Sequence, residues 1–396
     1  MSQPPPNPSH LLRSHLSGVN TLWFSDDNER LYSGDTSGTV IITSTRTLRS
    51  IASWKAHEDS VLSVQEWEEY ILTHGRDNKL HVWNIIQDNA SKVREAASQP
   101  GLPTPTLRYS MDVNALNYCR FSLMPLSDAT RTEETTALIA LPNLVESSLG
   151  DVWTVPSQKR LHAAIGKAGQ DPTPAIEGRG TNATGIIMSL HLFTFAHPHH
   201  SDRTQLRLLC AYENGGVTLR AFTRTDKETS VEGIGWDVIW SSKLHVESVM
   251  AMAVSRDNAL ALTVSADHLI GRYDLLKAEE VDTTEACVAH RTKYAGNACI
   301  AIRDDGRVCA VGGWDGKIRL YSTKSLRPLG TLDYHKKGCQ TLAFAHSREA
   351  AETIHDNEDE DEMSPEEREE RGRWLAAGSQ DNRVSIWPLI SFSRQP

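Results

Sequence analysis

The chain alternates apolar and polar positions in short runs, and four of these runs share one ending. Thr73-His-Gly-Arg-Asp77-Asn-Lys-Leu-His-Val-Trp83 is matched by Ala377–Trp387, by Val311–Tyr321 and by Thr263–Tyr273. In each, an Asp stands six residues before an aromatic, with a turn residue and then an alternating stretch between them. A tight turn followed by period-two alternation describes a strand with one buried face. Three weaker copies fill the gaps. Ser33–Thr43 has Ser37 and Thr43 at the Asp and aromatic positions, Ser147–Trp153 keeps the Trp but has Ser147 for Asp, and Ala211–Arg220 keeps the turn at Asn214 and loses the aromatic. Equating positions 37, 77, 147, 214, 267, 315 and 381 yields seven units, the shortest spacing being 40 residues. A length of 396 residues would ordinarily suggest two domains. A repeat array escapes that expectation, because each added unit packs only on its neighbours.

The four clear units resemble the WD-repeat family, whose period is about 40–45 residues with four strands per blade. The resemblance implies an all-β, seven-bladed WD-repeat β-propeller. It also implies that a His, a hydroxyl residue, an Asp and a Trp tie each blade together. His57, Thr73, Asp77 and Trp83 match all four places; His245, Thr263 and Asp267 end in Tyr273; His335 and Asp381 end in Trp387, with Ala377 at the hydroxyl place; Asp315 and Tyr321 complete the expected anchors. The last copy stops at Ile386–Ile390, which leaves its blade one strand short, while Ser9–Ser14 has no other strand to pair with. An N-terminal strand is therefore expected to close the propeller and remove the open edges. The expected organisation is a disordered Pro-rich segment at 1–8 and a single propeller over 9–392.

Charge changes this picture in one place. The net charge is −10, and His355–Arg371 holds ten acids against Arg368 and Arg371, so that segment alone carries −8. Self-repulsion predicts a disordered acidic insertion at 350–372. The rest is nearly neutral, without the basic footprint that nucleic-acid binding requires. No apolar run approaches the roughly 18 residues of a membrane span. Met1–Pro8 has neither the basic start nor the apolar stretch of a secretory signal, so an intracellular chain is expected. The six cysteines show no C-x-x-C pair and read as small buried residues.

Polar insertions fall at Asn89–Pro105, Met124–Thr136, Asp171–Gly185, Pro198–Gln205, Thr225–Gly233 and Glu349–Arg373. On the strand order of a blade, all but Asp171–Gly185 are expected to emerge on one face, either as tolerated elaboration or as an interaction face. Candidate chemistry is sparse. His191, His197, His199 and His200 cluster in sequence but lack a partner Cys or carboxylate at metal-ligand spacing. Gly166-Lys-Ala-Gly169 lacks the ending of a phosphate loop, and no Gly-x-Ser-x-Gly elbow occurs. Ser364-Pro-Glu-Glu367 has the form of a phosphoacceptor. No cofactor and no catalytic residue is expected.

A longer resemblance is specific to one family. Ala295–Tyr321, with Asn297, Arg303, Asp305, Arg307, Trp314, Asp315 and Arg319, is similar to a distinctive stretch of the ASTRA-associated WD-repeat subunits of fungi and their G-protein-β-like relatives in animals. Pro8-Ser-His-Leu-Leu-Arg13-Ser-His15 and Thr73–Trp83 are similar to it too, whereas the Pro-rich insertion Asp171–Gly185 and the acidic loop depart from it. The resemblance implies a nuclear, non-catalytic scaffold subunit of the ASTRA complex. It implies roles in chromatin regulation and in maturation of PI3-kinase-like proteins. The implied partners are Tel- and Tti-type co-chaperones, a Tra-type kinase-like protein and RuvB-like ATPases, with neither nucleic acid nor membrane bound directly. Rival readings are a generic WD-repeat adaptor, a propeller enzyme, which would need convergent carboxylates or metal ligands, and a heterotrimeric G-protein β-subunit. The last would carry an N-terminal coiled-coil helix, which Pro4, Pro5, Pro6 and Pro8 exclude.

Overall fold

The structure, a computed structural model, describes residues 7–86, 101–116, 118–127, 130–132, 135–167, 184–196, 204–280, 283–347 and 364–389. Among the described residues the strands form seven four-stranded antiparallel sheets, the blades of a seven-bladed β-propeller. Blade 1 comprises Val19–Phe24, Arg30–Asp35, Thr39–Ser44 and Ser50–Lys55, and blade 2 comprises Val61–Trp67, Tyr70–Gly75, Lys79–Asn84 and Thr106–Asp112. Blade 3 comprises Ser122–Pro125, Thr135–Pro142, Gly150–Pro156 and Arg160–Ile165, and blade 4 comprises Ile187–Ala196, Thr204–Tyr212, Gly216–Phe222 and Trp236–Lys243. Blade 5 is Val249–Val254, Leu260–Ser265, Leu269–Asp274 and Cys287–Arg291; blade 6 is Asn297–Ile302, Val308–Gly313, Lys317–Ser322 and Pro328–Asp333. Blade 7 has three strands from the end of the chain, Cys339–Phe344, Trp374–Ser379 and Val384–Pro388, and takes its fourth, His10–Leu12, from the start.

Two compact units can be distinguished, one of Met1–Met111 with Ala301–Pro396 and one of Asp112–Ile300. In a repeat array the core is shared out blade by blade, which is why the single propeller expected over 9–392 divides in this way. In the first unit the second strands of blades 2, 6 and 7 are buried at every position, mostly by apolar and small residues, with His74 of blade 2 buried among them. The fourth strand of blade 6 is exposed almost throughout. Close approach of neighbouring blades explains two glycines: a Cβ at Gly34 would lie 2.8 Å from Val61 Cγ1, and one at Gly378 would lie 2.7 Å from Val19 Cγ1. In blades 1, 2, 4, 6 and 7 the turn that follows the anchor position takes a positive φ, at Gly38, Asn78, Gly215, Gly316 and Asn382.

The N-terminal strand is held by pairing and by packing. His10, Leu11 and Leu12 stand opposite Ile386, Ser385 and Val384, and Ser9 N–H donates to the Ile386 carbonyl at 2.9 Å. Leu12 is buried in a cluster with Trp374, Val384 and Ile386, a contribution of about 1.5–3 kcal/mol.

A helix, Pro365–Arg371, stands inside the stretch 350–372 that charge alone marked as disordered. Its seven residues hold because local signals agree. The Ser364 hydroxyl accepts from Glu367 N–H, the Glu367 carboxylate accepts from Ser364 N–H, and Pro365 opens the helix. Arg371 is 7% exposed, with its guanidinium 5.7 Å from the Trp374 ring. The Ser-Pro-Glu-Glu motif is a capping box, a reading that the run of acids before it obscured. Residues 350–363 lie outside the described residues.

In the second unit the insertion Thr225–Gly233 is not a free loop. It returns to the edge of blade 3, where Ser230 N–H donates to Leu161 O at 3.0 Å, Ala163 N–H to Ser230 O at 3.1 Å and Gly233 N–H to Ala163 O at 2.7 Å. His162 and Ser230 form a parallel bridge, so the outer edge of blade 3 is covered by a segment of blade 4.

Candidate functional site

Blade 2 shows how the anchors work. Trp83 Nε1–H donates to Thr73 Oγ1 at 2.9 Å, and Thr73 Oγ1 is 2.8 Å from His57 Nε2. His57 Nδ1 lies 3.0 and 3.1 Å from the two Asp77 oxygens. A carboxylate can only accept, so Nδ1 carries the proton, and the neutral ring then accepts at Nε2 from the Thr73 hydroxyl. Burial holds the His57 pKa down at about 4 against the pull of Asp77, which keeps the ring neutral near pH 7. Asp77 also accepts from Lys79 N–H and Glu58 N–H, and so fixes both the turn and the loop before the blade. Trp54, which the repeat pattern left outside the anchor set, is 6% exposed against 9% for Trp83, and their rings meet edge to face at 5.8 Å. The two differ in one hydrogen bond, not in burial.

The other blades use the same space differently. In blade 5, His245 Nδ1 lies 3.0 Å from Asp267 and Nε2 lies 2.8 Å from Thr263 Oγ1, while the Tyr273 hydroxyl reaches Thr263 only at 3.4 Å. In blade 7, His335 Nδ1 lies 3.1 Å from Asp381, and the hydroxyl missing at Ala377 is supplied by Ser385. Ser385 stands directly opposite Ala377 in the register, 2.8 Å from His335 Nε2, and accepts from Trp387 Nε1–H at 2.8 Å. In blade 6 the Asp315 carboxylate accepts from Lys317 N–H and from Arg319, a buried guanidinium on the third strand, and Tyr321 is buried.

Blade 1 holds a set that the repeat pattern missed. His15 Nδ1 lies 2.8 Å from Asp35, its Nε2 lies 2.7 Å from Ser33 Oγ, and Asp35 also accepts from Ser37 N–H and Thr39 N–H. The carboxylate stands two residues before the equated position 37, which hid it; a His eighteen residues ahead of Ser33 was the available signal. In blade 3 Ser147 does not take the Asp role. Asn143 caps the turn by accepting from Val145 N–H and Glu146 N–H, and its amide donates to Asp151.

Metal ligation has one geometric candidate among the described residues. Ligand atoms of His57, Asp77 and His81 lie within 4.8 Å of one another. Both His57 nitrogens are already engaged within the blade. The His81 ring is stacked on His57 at 4.7 Å and 19°, with its Nδ1 2.7 Å from Ser110 Oγ. Parallel rings at that spacing cannot both turn their in-plane lone pairs onto one ion, so the group fits a structural role. His191 Nε2 lies 2.8 Å from Asn258 Oδ1; His197, His199 and His200 lie outside the described residues. All six cysteines are buried, and burial pushes the Cys210 thiol up to about 11 and Cys309 up to about 12, away from reactive thiolate.

Residues 6–44 and 289–322 match the family described as WD domain, G-beta repeat. The first match takes in His10–Leu12, the fourth strand of blade 7, and ends on the third strand of blade 1; the second starts on the last strand of blade 5 and ends on the third of blade 6, so the sequence repeat is offset from the blade by one strand. Across its length the chain is similar to ASTRA-associated protein 1 of Verticillium alfalfae, 31% identical over 97% of this chain and 93% of that one. It is similarly related to the proteins of that name from Aspergillus flavus, 30% identical over 98% of both chains, and Schizosaccharomyces pombe, 27% identical over 97% and 99%. The chain belongs to the ASTRA-associated protein 1 family. Membership spans the whole propeller rather than one repeat, so the blades whose anchors deviate, 3, 4 and 6, are included in it.

Proposed function

We propose that the protein is a non-catalytic scaffold subunit of the ASTRA complex. It acts in the nucleus, in chromatin regulation and in maturation of PI3-kinase-like proteins. Its partners are Tel- and Tti-type co-chaperones, a Tra-type kinase-like protein and RuvB-like ATPases. The observation that carries the reading is end-to-end similarity to fungal relatives that all bear the name ASTRA-associated protein 1. Physical support comes from the use of the titratable groups: the His–Asp pairs of blades 1, 2, 5 and 7 are engaged in holding strands together. A propeller used in this way offers loops on a rigid frame, and its function lies in what those loops bind. The test is affinity purification of the tagged protein with mass spectrometry, together with microscopy of the same tag. Recovery of the named co-chaperones and ATPases from a nuclear pool is the expected result. A purification that returns none of them, or a cytoplasmic tag, refutes the assignment.

A further inference from the structure

In the turn between the second and third strands of blade 6, Trp314 leaves 51% of its surface in water. The residues at the same place in blades 1, 2 and 7 are Thr36, Arg76 and Gln380, so the turn itself needs no large apolar side chain. Trp314 has a small neighbour beneath it: a Cβ on Gly338 would lie 3.4 Å from Trp314 Cα and 3.5 Å from its carbonyl oxygen. Just before Gly338 the chain presents Lys336 and Lys337, both exposed and both without an ion-pair partner among the described residues. The same edge continues through contacts within the first unit. Gln380 N–H donates to Gly338 O at 3.1 Å, a Cβ on Gly18 would lie 3.2 Å from Gln380 Cα, and Asn382 Nδ2 donates to the carbonyl of Leu16, which is 91% exposed.

The charges on this edge are not balanced. Asp315 is tied to Arg319 and Lys317 to Asp333, while the Asp381 carboxylate holds His335 and accepts from Lys336 N–H, so the two adjacent ammonium groups of Lys336 and Lys337 outweigh that one carboxylate beside an exposed indole. Binding hot spots are enriched in Trp, and the electrostatic complement of the two lysines beside it is a carboxylate-bearing segment. We infer that Trp314, with Lys336 and Lys337, forms a docking surface for a short acidic segment of a partner protein, the indole receiving an apolar side chain and the two lysines the flanking carboxylates. A nucleic acid fits less well. Two lysines are few for a phosphodiester backbone, whose affinity grows with the number of phosphates neutralised. The surface deepens the scaffold reading, and rests on it in that the occupant is a protein. It does not require the partner to belong to any particular complex.

The test uses the purified full-length chain and displayed random dodecapeptides, so that failure here is separable from failure of the complex assignment. Selection is expected to enrich peptides with Asp or Glu on both sides of one aromatic or aliphatic residue. By fluorescence anisotropy an enriched peptide should bind at least about tenfold more weakly to Trp314→Ala and to the double variant Lys336→Glu, Lys337→Glu. Its binding should weaken several-fold between low and physiological salt, because exposed charges are screened over about 8–10 Å. Unchanged melting temperatures exclude misfolding, and Trp314→Phe, which keeps an aromatic face, should retain most of the affinity. Enrichment of basic or uncharged peptides, an acidic peptide that binds all variants equally, or an oligothymidine that outcompetes every enriched peptide each overturns the inference.

Discussion

Replacing Thr73 by Val isolates the hydrogen bonding of the blade 2 anchor with little change of volume. Thr73 is fully buried, and its hydroxyl is the one link between Trp83 and His57. The substitution leaves the Trp83 N–H, in a residue 9% exposed, and His57 Nε2, in a residue 2% exposed, without a partner. Each buried polar group left unsatisfied costs about 1–3 kcal/mol, so a loss of about 3 kcal/mol is expected. Unfolding entropy of about 2.1 cal/mol/K per residue over 396 residues converts each kcal/mol into roughly 1.2 °C. The melting temperature should therefore fall by about 4 °C if the whole chain melts together. It should fall by about twice that if only the unit holding blade 2, roughly half the chain, melts as one. Differential scanning calorimetry reads both the shift and the number of transitions. Thr73→Ser keeps the hydroxyl and loses one buried methyl, about 0.5–1.5 kcal/mol, so it should stay within about 2 °C of wild type. Thr331→Val, on the exposed fourth strand of blade 6, should do the same. A Thr73→Val protein that melts with these controls would falsify the claim that the hydroxyl holds the blade.

Trp54→Ala and Trp83→Ala should each cost about 3–5 kcal/mol, and because the rings touch, the double variant should cost clearly less than the sum; additive denaturation midpoints would contradict the pairing. Removing residues 1–14 should lower the melting temperature and promote self-association by exposing the edge of Val384–Pro388, and a truncation that stays monomeric and melts normally would show that the strand is dispensable. The His57 pKa of about 4 lies below its unfolded value, and burial likewise lowers His245 and His335; their contribution is thus full above about pH 6.5 and is lost as pH falls toward 4, so thermal melts should show a steady decline through that window rather than a plateau. Deleting 356–362 should leave the melting temperature unchanged, since like charges bury little apolar surface, whereas deleting 356–370 should lower it by removing most of the helix that carries Arg371 onto Trp374; equal melts for the two deletions would count against that contact.

Much of the fold was legible in the sequence because a propeller blade is encoded locally. The Asp, the turn residue and the alternating strand of Thr73–Trp83 recur within a few residues of one another, and both the strand period and the turn conformation are short-range properties. Even the closing strand could be read, since a blade one strand short demands a partner. The side chains that complete an anchor were less legible, because they are chosen by proximity across the sheet. Ser385 replaces a hydroxyl at Ala377 from the opposite strand, Arg319 meets the blade 6 Asp, and Asp35 reaches His15 from a shifted position. The surface features were set further still from local pattern. The insertion Thr225–Gly233 reads as an open loop until it is found paired with Leu161–Ala163, and the exposure of Trp314 beside Lys336 and Lys337 has no signature in the repeat pattern. Periodicity records which face of a strand is buried, but which groups meet across blades and turns is decided only when the chain has folded.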